Sequence, residues 1–100
     1  QNIDDSVKSA DINLADAIAK CDSAGVKIAL LDGADPEKPD TNGNIPVVKA
    51  SSLGCPAVIR FLLEAGASAN VADKAGLSPL LYSVINNMPS ITEDLLNSGA

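Results

Sequence analysis

The chain contains no histidine and no tryptophan, and it has only one tyrosine and one phenylalanine among 100 residues. Without histidine, the sequence offers no Ser-His-Asp or Cys-His pair, and it lacks the side chain that binds most zinc and iron ions. Neighbouring carboxylates such as Asp4-Asp5 and Glu93-Asp94 would point apart on a helix, so they do not suggest a catalytic dyad. We therefore expect no enzymatic activity, no catalytic residue, and no metal or cofactor within these residues.

Long apolar runs and clustered cations are also missing. No stretch of about 18 apolar residues is present, so the sequence predicts no membrane-spanning helix. The net charge is −6, and nine of the 13 acidic residues lie in residues 1–40. This distribution disfavours nucleic acids and anionic membranes as partners, because phosphate binding needs clustered Lys and Arg. It favours a basic protein partner, with simple solubility as the alternative explanation.

The sequence has two cysteines, Cys21 and Cys55, which are too few for a disulfide framework. If each lies in its own helical unit, helix packing would separate them by about 10 Å. A disulfide spans at most roughly 7 Å between Cα atoms. We therefore predict two free thiols that serve mainly as small packing residues. Free thiols favour an intracellular, reducing location, with import into an organelle left open.

The strongest positive feature is a repeat with a period of 33 residues. The recurring positions hold turn-forming, helix-starting, buried and helix-ending residues: Asp40/Asp73, Gly43/Gly76, Pro46/Pro79, Pro56/Pro89, Leu62/Leu95, Leu63/Leu96 and Gly66/Gly99. A constant interval of this length indicates that one supersecondary unit is stacked on copies of itself.

Each unit is predicted to contain a turn and two short helices. In the central copy, an Asp-x-x-Gly turn is followed by Pro46, which suits the first turn of a helix. Gly54 interrupts the chain, and a second helix begins near Pro56, with apolar residues at helical spacing. Gly66 ends this helix, as a glycine in the left-handed region commonly does.

These motifs resemble the ankyrin repeat. The matching segments are Asp40-x-x-Gly43-x-x-Pro46, Leu62-Leu63, Gly66-Ala67 and Asn70 in one copy, and Asp73, Gly76, Ser78-Pro79-Leu80, Leu95-Leu96 and Gly99-Ala100 in the next. The sequence departs from the family at Ile45, where Thr or Ser is usual, and at Val48 and Leu81, where His is usual. The resemblance implies an all-α solenoid of about three helix-turn-helix repeats joined by short β-turn fingers.

We predict a single domain built from these repeats. Its parts are an N-terminal arm or cap at 1–12, for which disorder is the alternative, repeat 1 at 13–39, repeat 2 at 40–72 and repeat 3 at 73–100, which is shorter than the full period. In repeat 1 we expect Asn13 to cap the first helix. Its Leu30-Leu31 pair lies one residue closer to the terminal glycine than in the later copies, so we expect the second helix to be one residue shorter.

The family resemblance implies non-enzymatic protein binding through the concave face formed by turn tips and first helices. The predicted binding residues are Thr41, Asn42, Asn44, Leu53, Lys74, Leu77, Tyr82, Ile85 and Asn86. Tyr82 is a favoured residue type in binding hot spots. Leu53 and Ile85 have an alternative role, which is packing between neighbouring helices.

An alternative function also fits the sequence. The chain would be a peripheral structural subunit, or a fragment of a larger assembly, docked through an uncapped C-terminal end. Ile91, Leu95 and Leu96 would then form the docking face.

Overall fold

The described parts of the chain form six helices and no β-strand. The structure is a computed structural model that describes residues 3–40 and 43–99, with side chains from Ala10 onward. The helices are α1 (Ile3–Ala19), α2 (Ser23–Leu31), α3 (Pro46–Leu53), α4 (Pro56–Glu64), α5 (Pro79–Ile85) and α6 (Pro89–Asn97). The predicted all-α class and the pairing of short helices are confirmed.

The second helix of each pair keeps the 33-residue period without change. Helices α2, α4 and α6 are each nine residues long. The expected shortening of α2 is therefore wrong. Because the register is conserved along the chain, Leu31 takes the solvent-facing position that Glu64 takes in the next repeat, and Ala29 takes the buried position of Leu62.

Helix α1 begins ten residues earlier than the sequence pattern predicts. Asn13, the expected cap, lies inside this helix and is exposed. The first repeat lacks the Gly-x-x-Pro start of the later repeats, so no residue in this segment breaks the helix. As a result, residues 3–12 extend α1 through the stretch where the later repeats form a turn finger.

One backbone conformation recurs at the end of the first helix in every pair. Cys21, Gly54 and Asn87 are spaced by 33 residues and have φ angles of 53°, 74° and 54°. Glycine adopts this left-handed region without steric cost, and Asn tolerates it better than most residues do. The sharp turn lets the chain reverse within three residues, and proline then occupies the first turn of α4 and of α6.

Two turn fingers precede α3 and α5, and an aspartate closes each of them. The Asp40 carboxylate accepts a 2.9 Å hydrogen bond from the Asn44 backbone N–H, and Asp73 accepts an equivalent 2.9 Å bond from Leu77. In return, the backbone N–H groups of Asp40 and Asp73 donate to the carbonyls of Asn44 and Leu77. In each finger, these hydrogen bonds therefore hold the residues before and after the turn together.

The six helices pack in two layers. Helices α1, α3 and α5 lie side by side in one layer, and α2, α4 and α6 lie in the other, which gives an elongated molecule of 44 × 25 × 23 Å. Ala17, Ala50 and Ser83 occur at the same repeat position and are buried, so neighbouring helices can approach closely. The larger core side chains are aliphatic: Leu14, Ile18, Val26, Val47, Val58, Ile59, Leu62, Ile91 and Leu95. Burial of each contributes about 1.5–3 kcal/mol.

Cys21 and Cys55 form a disulfide, with their Cα atoms 5.6 Å apart. The prediction of two free thiols about 10 Å apart is wrong. That prediction used the spacing of helix axes. Both cysteines lie instead in the turns between helices, where neighbouring repeats approach each other more closely. Cys21 occupies the left-handed turn position of its repeat, whereas Cys55 lies one position further on, at the N-cap of α4. The bond links the first helix pair covalently to the second.

Candidate interaction surface

The predicted binding residues lie on the fingers and on the helices α3 and α5. Leu53, Lys74, Ile85 and Asn86 are exposed, and Asn44, Leu77 and Tyr82 are half-buried. Thr41 and Asn42 lie outside the described residues. The residues that are described therefore divide into side chains with free surface and side chains held by intramolecular contacts.

Tyr82 is held by the third-repeat finger. Its hydroxyl donates a 2.5 Å hydrogen bond to Asp73 Oδ2, while Asp73 Oδ1 accepts from the backbone N–H groups of Ala75 and Leu77. The Tyr82 hydroxyl, followed by these backbone donors, holds the pKa of Asp73 below its ordinary value of 3.8. The bond to Asp73 raises the pKa of Tyr82 above 10.0. Tyr82 thus joins α5 to the finger that precedes it.

Leu53 and Ile85 present free apolar surface at the ends of α3 and α5. Their exposed fractions are 44% and 65%, so the alternative in which they pack between helices does not describe this structure. Next to Ile85, the side-chain amide of Asn86 donates a 2.8 Å hydrogen bond to the Ser51 carbonyl and so ties the end of α5 to α3. The two apolar side chains are therefore carried on helix ends whose relative position is held.

The finger of the second repeat and the finger of the third repeat lie next to each other. A Cβ atom placed on Gly43 would be 3.7 Å from both Cε and Nζ of Lys74. The Lys74 side chain therefore reaches the finger of the second repeat and places its positive charge beside Gly43.

A groove that the sequence analysis did not predict lies between α1, α3 and the segment that joins α2 to α3. Its volume is about 580 Å³. The lining combines an apolar base with charged sides and consists of Asp11, Ile12, Leu14, Ala15, Asp16, Ile18, Asp35, Lys38, Pro39, Asp40, Asn44, Pro46 and Lys49. Most of these residues belong to the first repeat and its connection, which lack the Gly-x-x-Pro motif. The density of acidic residues in 1–40 was the sequence signal for this surface.

The outer side of the third repeat also exposes apolar residues. Leu81 and Val84 on α5 are 46% and 62% exposed, whereas Val48 and Ser51, their counterparts one repeat earlier, are 4% and 0% exposed. Leu96 on α6 is exposed as well, although its counterpart Leu63 is half-buried. This face therefore has the character of the surfaces that are covered where repeats stack.

Among the described residues, neither a metal-binding cluster nor a membrane-spanning helix is found. No group of three or more His, Cys, Asp or Glu side chains among them is arranged to hold a metal ion. None of the helices described is both long and apolar enough to cross a bilayer.

Comparison with known proteins assigns the family. A family model described as "Ankyrin repeats (3 copies)" matches residues 14–100. The chain is 33% identical over 75 residues to the potassium channel KOR1 of Oryza sativa subsp. japonica, which covers 75% of this chain and 9% of the channel. It is 43% identical over 58 residues to the human protein fem-1 homolog C, covering 58% of this chain and 9% of that protein.

A third relative is palmitoyltransferase akr1 of Aspergillus oryzae, which is 35% identical over 75 residues, covering 70% of this chain and 10% of the transferase. The chain thus spans about a tenth of the length of each of these curated relatives. The three-copy match and the stacked helix pairs agree with the repeat motifs in the sequence. The chain therefore belongs to the ankyrin-repeat family.

Proposed function

We propose that this chain is a non-enzymatic module that binds a protein partner through its finger tips and the exposed ends of α3 and α5. Ankyrin repeats are generally protein-interaction modules. The observation that carries this proposal is the pair of exposed apolar side chains, Leu53 and Ile85, at the C-terminal ends of α3 and α5, the two helices that the hydrogen-bonded fingers precede. Because the finger of the third repeat and the end of α5 are held by hydrogen bonds, little conformational entropy would be lost there on docking.

The proposed role of Tyr82 differs from that of an isolated hot-spot side chain. Its hydroxyl is engaged by Asp73, so its contribution to binding would come from the ring and from the finger conformation that it supports. The chemistry of the partner follows from the charge of the chain. A net charge of −6 favours a partner with a basic surface, because complementary charge speeds association.

The proposal can be tested by affinity capture from a native extract with quantitative mass spectrometry. We expect a Leu53→Ser/Ile85→Ser double variant to lose most of the partners that the unmodified protein retains. The control is Leu31→Ser, which removes a leucine that is 78% exposed, more than Leu53 or Ile85, from α2 in the opposite layer and should leave capture unchanged. Equal capture by the double variant and by the unmodified protein, with both folded by circular dichroism, would contradict the proposed surface.

A second candidate function is docking into a larger assembly through the outer face of α5 and α6. It is favoured by the exposed side chains of Leu81, Val84 and Leu96, whose counterparts are more deeply buried in the earlier repeat. The docking residues expected from the sequence need correction, because Ile91 and Leu95 are buried in the core and only Leu96 is exposed.

The same capture experiment distinguishes the two functions. A Val84→Ser/Leu96→Ser variant should retain its partners if the fingers and helix ends bind them. It should lose them if the outer face of the third repeat is the docking surface.

A further inference from the structure

The groove between α1 and α3 has sides held in place at both ends. At one end, Lys38 Nζ lies 3.2 Å from Asp11 Oδ2, and the Asp35 backbone N–H donates a 2.9 Å hydrogen bond to Asp11 Oδ1. These contacts attach the connection after α2 to the side of α1. At the other end, the Cys21–Cys55 disulfide joins the turn after α1 to the turn after α3. A covalent bond therefore links the turns at the ends of the two helices, and a charged hydrogen-bonded contact holds the connecting segment against α1.

The base of the groove is apolar. Leu14, Ile18 and Pro46 form the buried part, and Ile12 is 67% exposed at the side. A volume of about 580 Å³ falls within the range of about 300–1,000 Å³ that is typical of ligand-binding clefts. The groove can therefore accept an apolar side chain together with the backbone on either side of it.

The charges around this base are mainly negative. Asp11, Asp16, Asp35 and Asp40 contribute carboxylates, against Lys38 and Lys49. Lys38 is paired with Asp11, and Asp40 is bonded within its finger. Asp16 is highly exposed, in an ion pair with Lys20 that lies on the surface and is worth little.

Asp35 and Lys49 complete the electrostatic picture. Asp35 accepts a backbone hydrogen bond through Oδ1 and is otherwise exposed. The Lys49 ammonium group adds a positive charge to the lining. The carboxylates of Asp16 and Asp35 can thus meet a cation from a ligand, while Lys49 would oppose it.

From the apolar base and the surplus of carboxylates, we propose that this groove binds an extended segment of a protein partner in which Lys or Arg flanks an aliphatic side chain. The aliphatic side chain lies on Leu14, Ile18 and Pro46, and the cation lies between Asp16 and Asp35. This inference rests on the proposed interaction function, but it places a specific contact in the first repeat, away from Leu53 and Ile85.

The probe for this proposal is a library of random dodecapeptides displayed on phage and selected against the oxidised protein. We expect the selected sequences to contain Lys or Arg within two residues of Leu, Ile, Val or Met. One selected peptide, made synthetically, should lose most of its affinity between low salt and about 0.5 M salt, because exposed ion pairs are screened.

Three variants then locate the peptide. Asp16→Asn/Asp35→Asn should weaken binding about threefold to tenfold, since each exposed ion pair contributes up to about fivefold. The amide oxygen introduced in place of the Asp35 carboxylate can still accept the hydrogen bond of its loop. Lys49→Gln should strengthen binding, because it removes the opposing cation. The matched control is Asp32→Asn/Glu64→Gln, which removes two exposed carboxylates outside the groove and should leave affinity unchanged.

Three results would overturn the proposal: no enrichment of any peptide, enrichment of acidic peptides, or equal affinity in the groove and control variants. If selected peptides bind but are lost only in Leu53→Ser/Ile85→Ser, the groove assignment fails while the interaction function stands. If Leu53→Ser/Ile85→Ser captures as many partners as the unmodified protein, the proposed function fails, whatever the result for the groove.

Discussion

Reduction of the Cys21–Cys55 disulfide should destabilise the fold substantially, and the magnitude follows from the chain that it closes. The two cysteines are 34 residues apart in sequence. For a loop of that length, the chain-entropy relation gives about 12.6 cal/mol/K, or about 3.8 kcal/mol at 25 °C. Domains of this size unfold with roughly 5–15 kcal/mol, so reduction would remove a large share of the total stability.

The assay is thermal unfolding followed by circular dichroism at about 222 nm, with and without dithiothreitol. For a domain of about 100 residues, 1 kcal/mol corresponds to about 4–8 °C in Tm, so reduction should lower Tm by about 15–30 °C. Reduction is a cleaner perturbation than substitution, because it leaves no cavity at Cys55, which is buried. A Cys21→Ser/Cys55→Ala variant serves as control, and its Tm should not respond to dithiothreitol.

Two results would refute this reasoning. Alkylation of the unreduced, unfolded protein at both cysteines would mean that the disulfide is not formed. A shift in Tm of less than about 5 °C on reduction would mean that the cross-link does not restrict the unfolded chain in the way assumed.

Two further predictions concern the third repeat. Tyr82→Phe removes the donor to Asp73, so the carboxyl pKa of Asp73, followed by NMR, should rise toward its ordinary value of 3.8; an unchanged pKa would show that the bond does not form in solution. Because the pKa of Asp73 is lowered in the folded protein, its carboxylate contributes stability above about pH 4, and this contribution is lost as the pH falls through the lowered pKa. Because the pKa of Tyr82 is raised, its protonated hydroxyl contributes stability below pH 10.0, and this contribution is lost as the pH rises through the raised pKa. The difference in Tm between wild type and Tyr82→Phe should therefore be present at about pH 7 and shrink as the pH falls below the lowered pKa of Asp73. Asn87→Gly places glycine where φ is 54°, in the left-handed region that glycine adopts without steric cost, and should raise the free energy of unfolding by a few tenths to about 1 kcal/mol in urea titration. A lower free energy of unfolding would contradict the left-handed conformation at this position.

The regular repeats were the part of the fold that sequence reasoning predicted well. The starts of α3, α4, α5 and α6 agree with the predictions, because the recurring prolines mark helix starts by local stereochemistry. The first repeat was predicted poorly. It has no proline or glycine at the corresponding start, so no local signal indicates that α1 extends back to Ile3. The spacing of Leu30-Leu31 predicts a shortened second helix, whereas α2 keeps the nine residues of α4 and α6.

The residues that form the fingers were predictable from the sequence, whereas the contacts that their side chains make were not. A turn motif indicates which residues lie on a finger, and for this reason Lys74 was expected at a tip. The hydrogen bond from Tyr82 to Asp73 joins residues on different elements, and the groove beside α1 depends on where the connection after α2 settles. Neither can be obtained from spacing within one repeat.

By itself, the sequence determined the repeat length, the helix starts at the prolines and the acidic character of the first half, because each depends on residue type and local backbone geometry. Only the tertiary structure decided that Cys21 and Cys55 meet, that Leu31 faces solvent while Leu53 and Ile85 remain exposed, and that a groove opens between α1 and α3. The physical reason is that these properties depend on distances between repeats, which the packing of small side chains and the path of the connecting turns establish together.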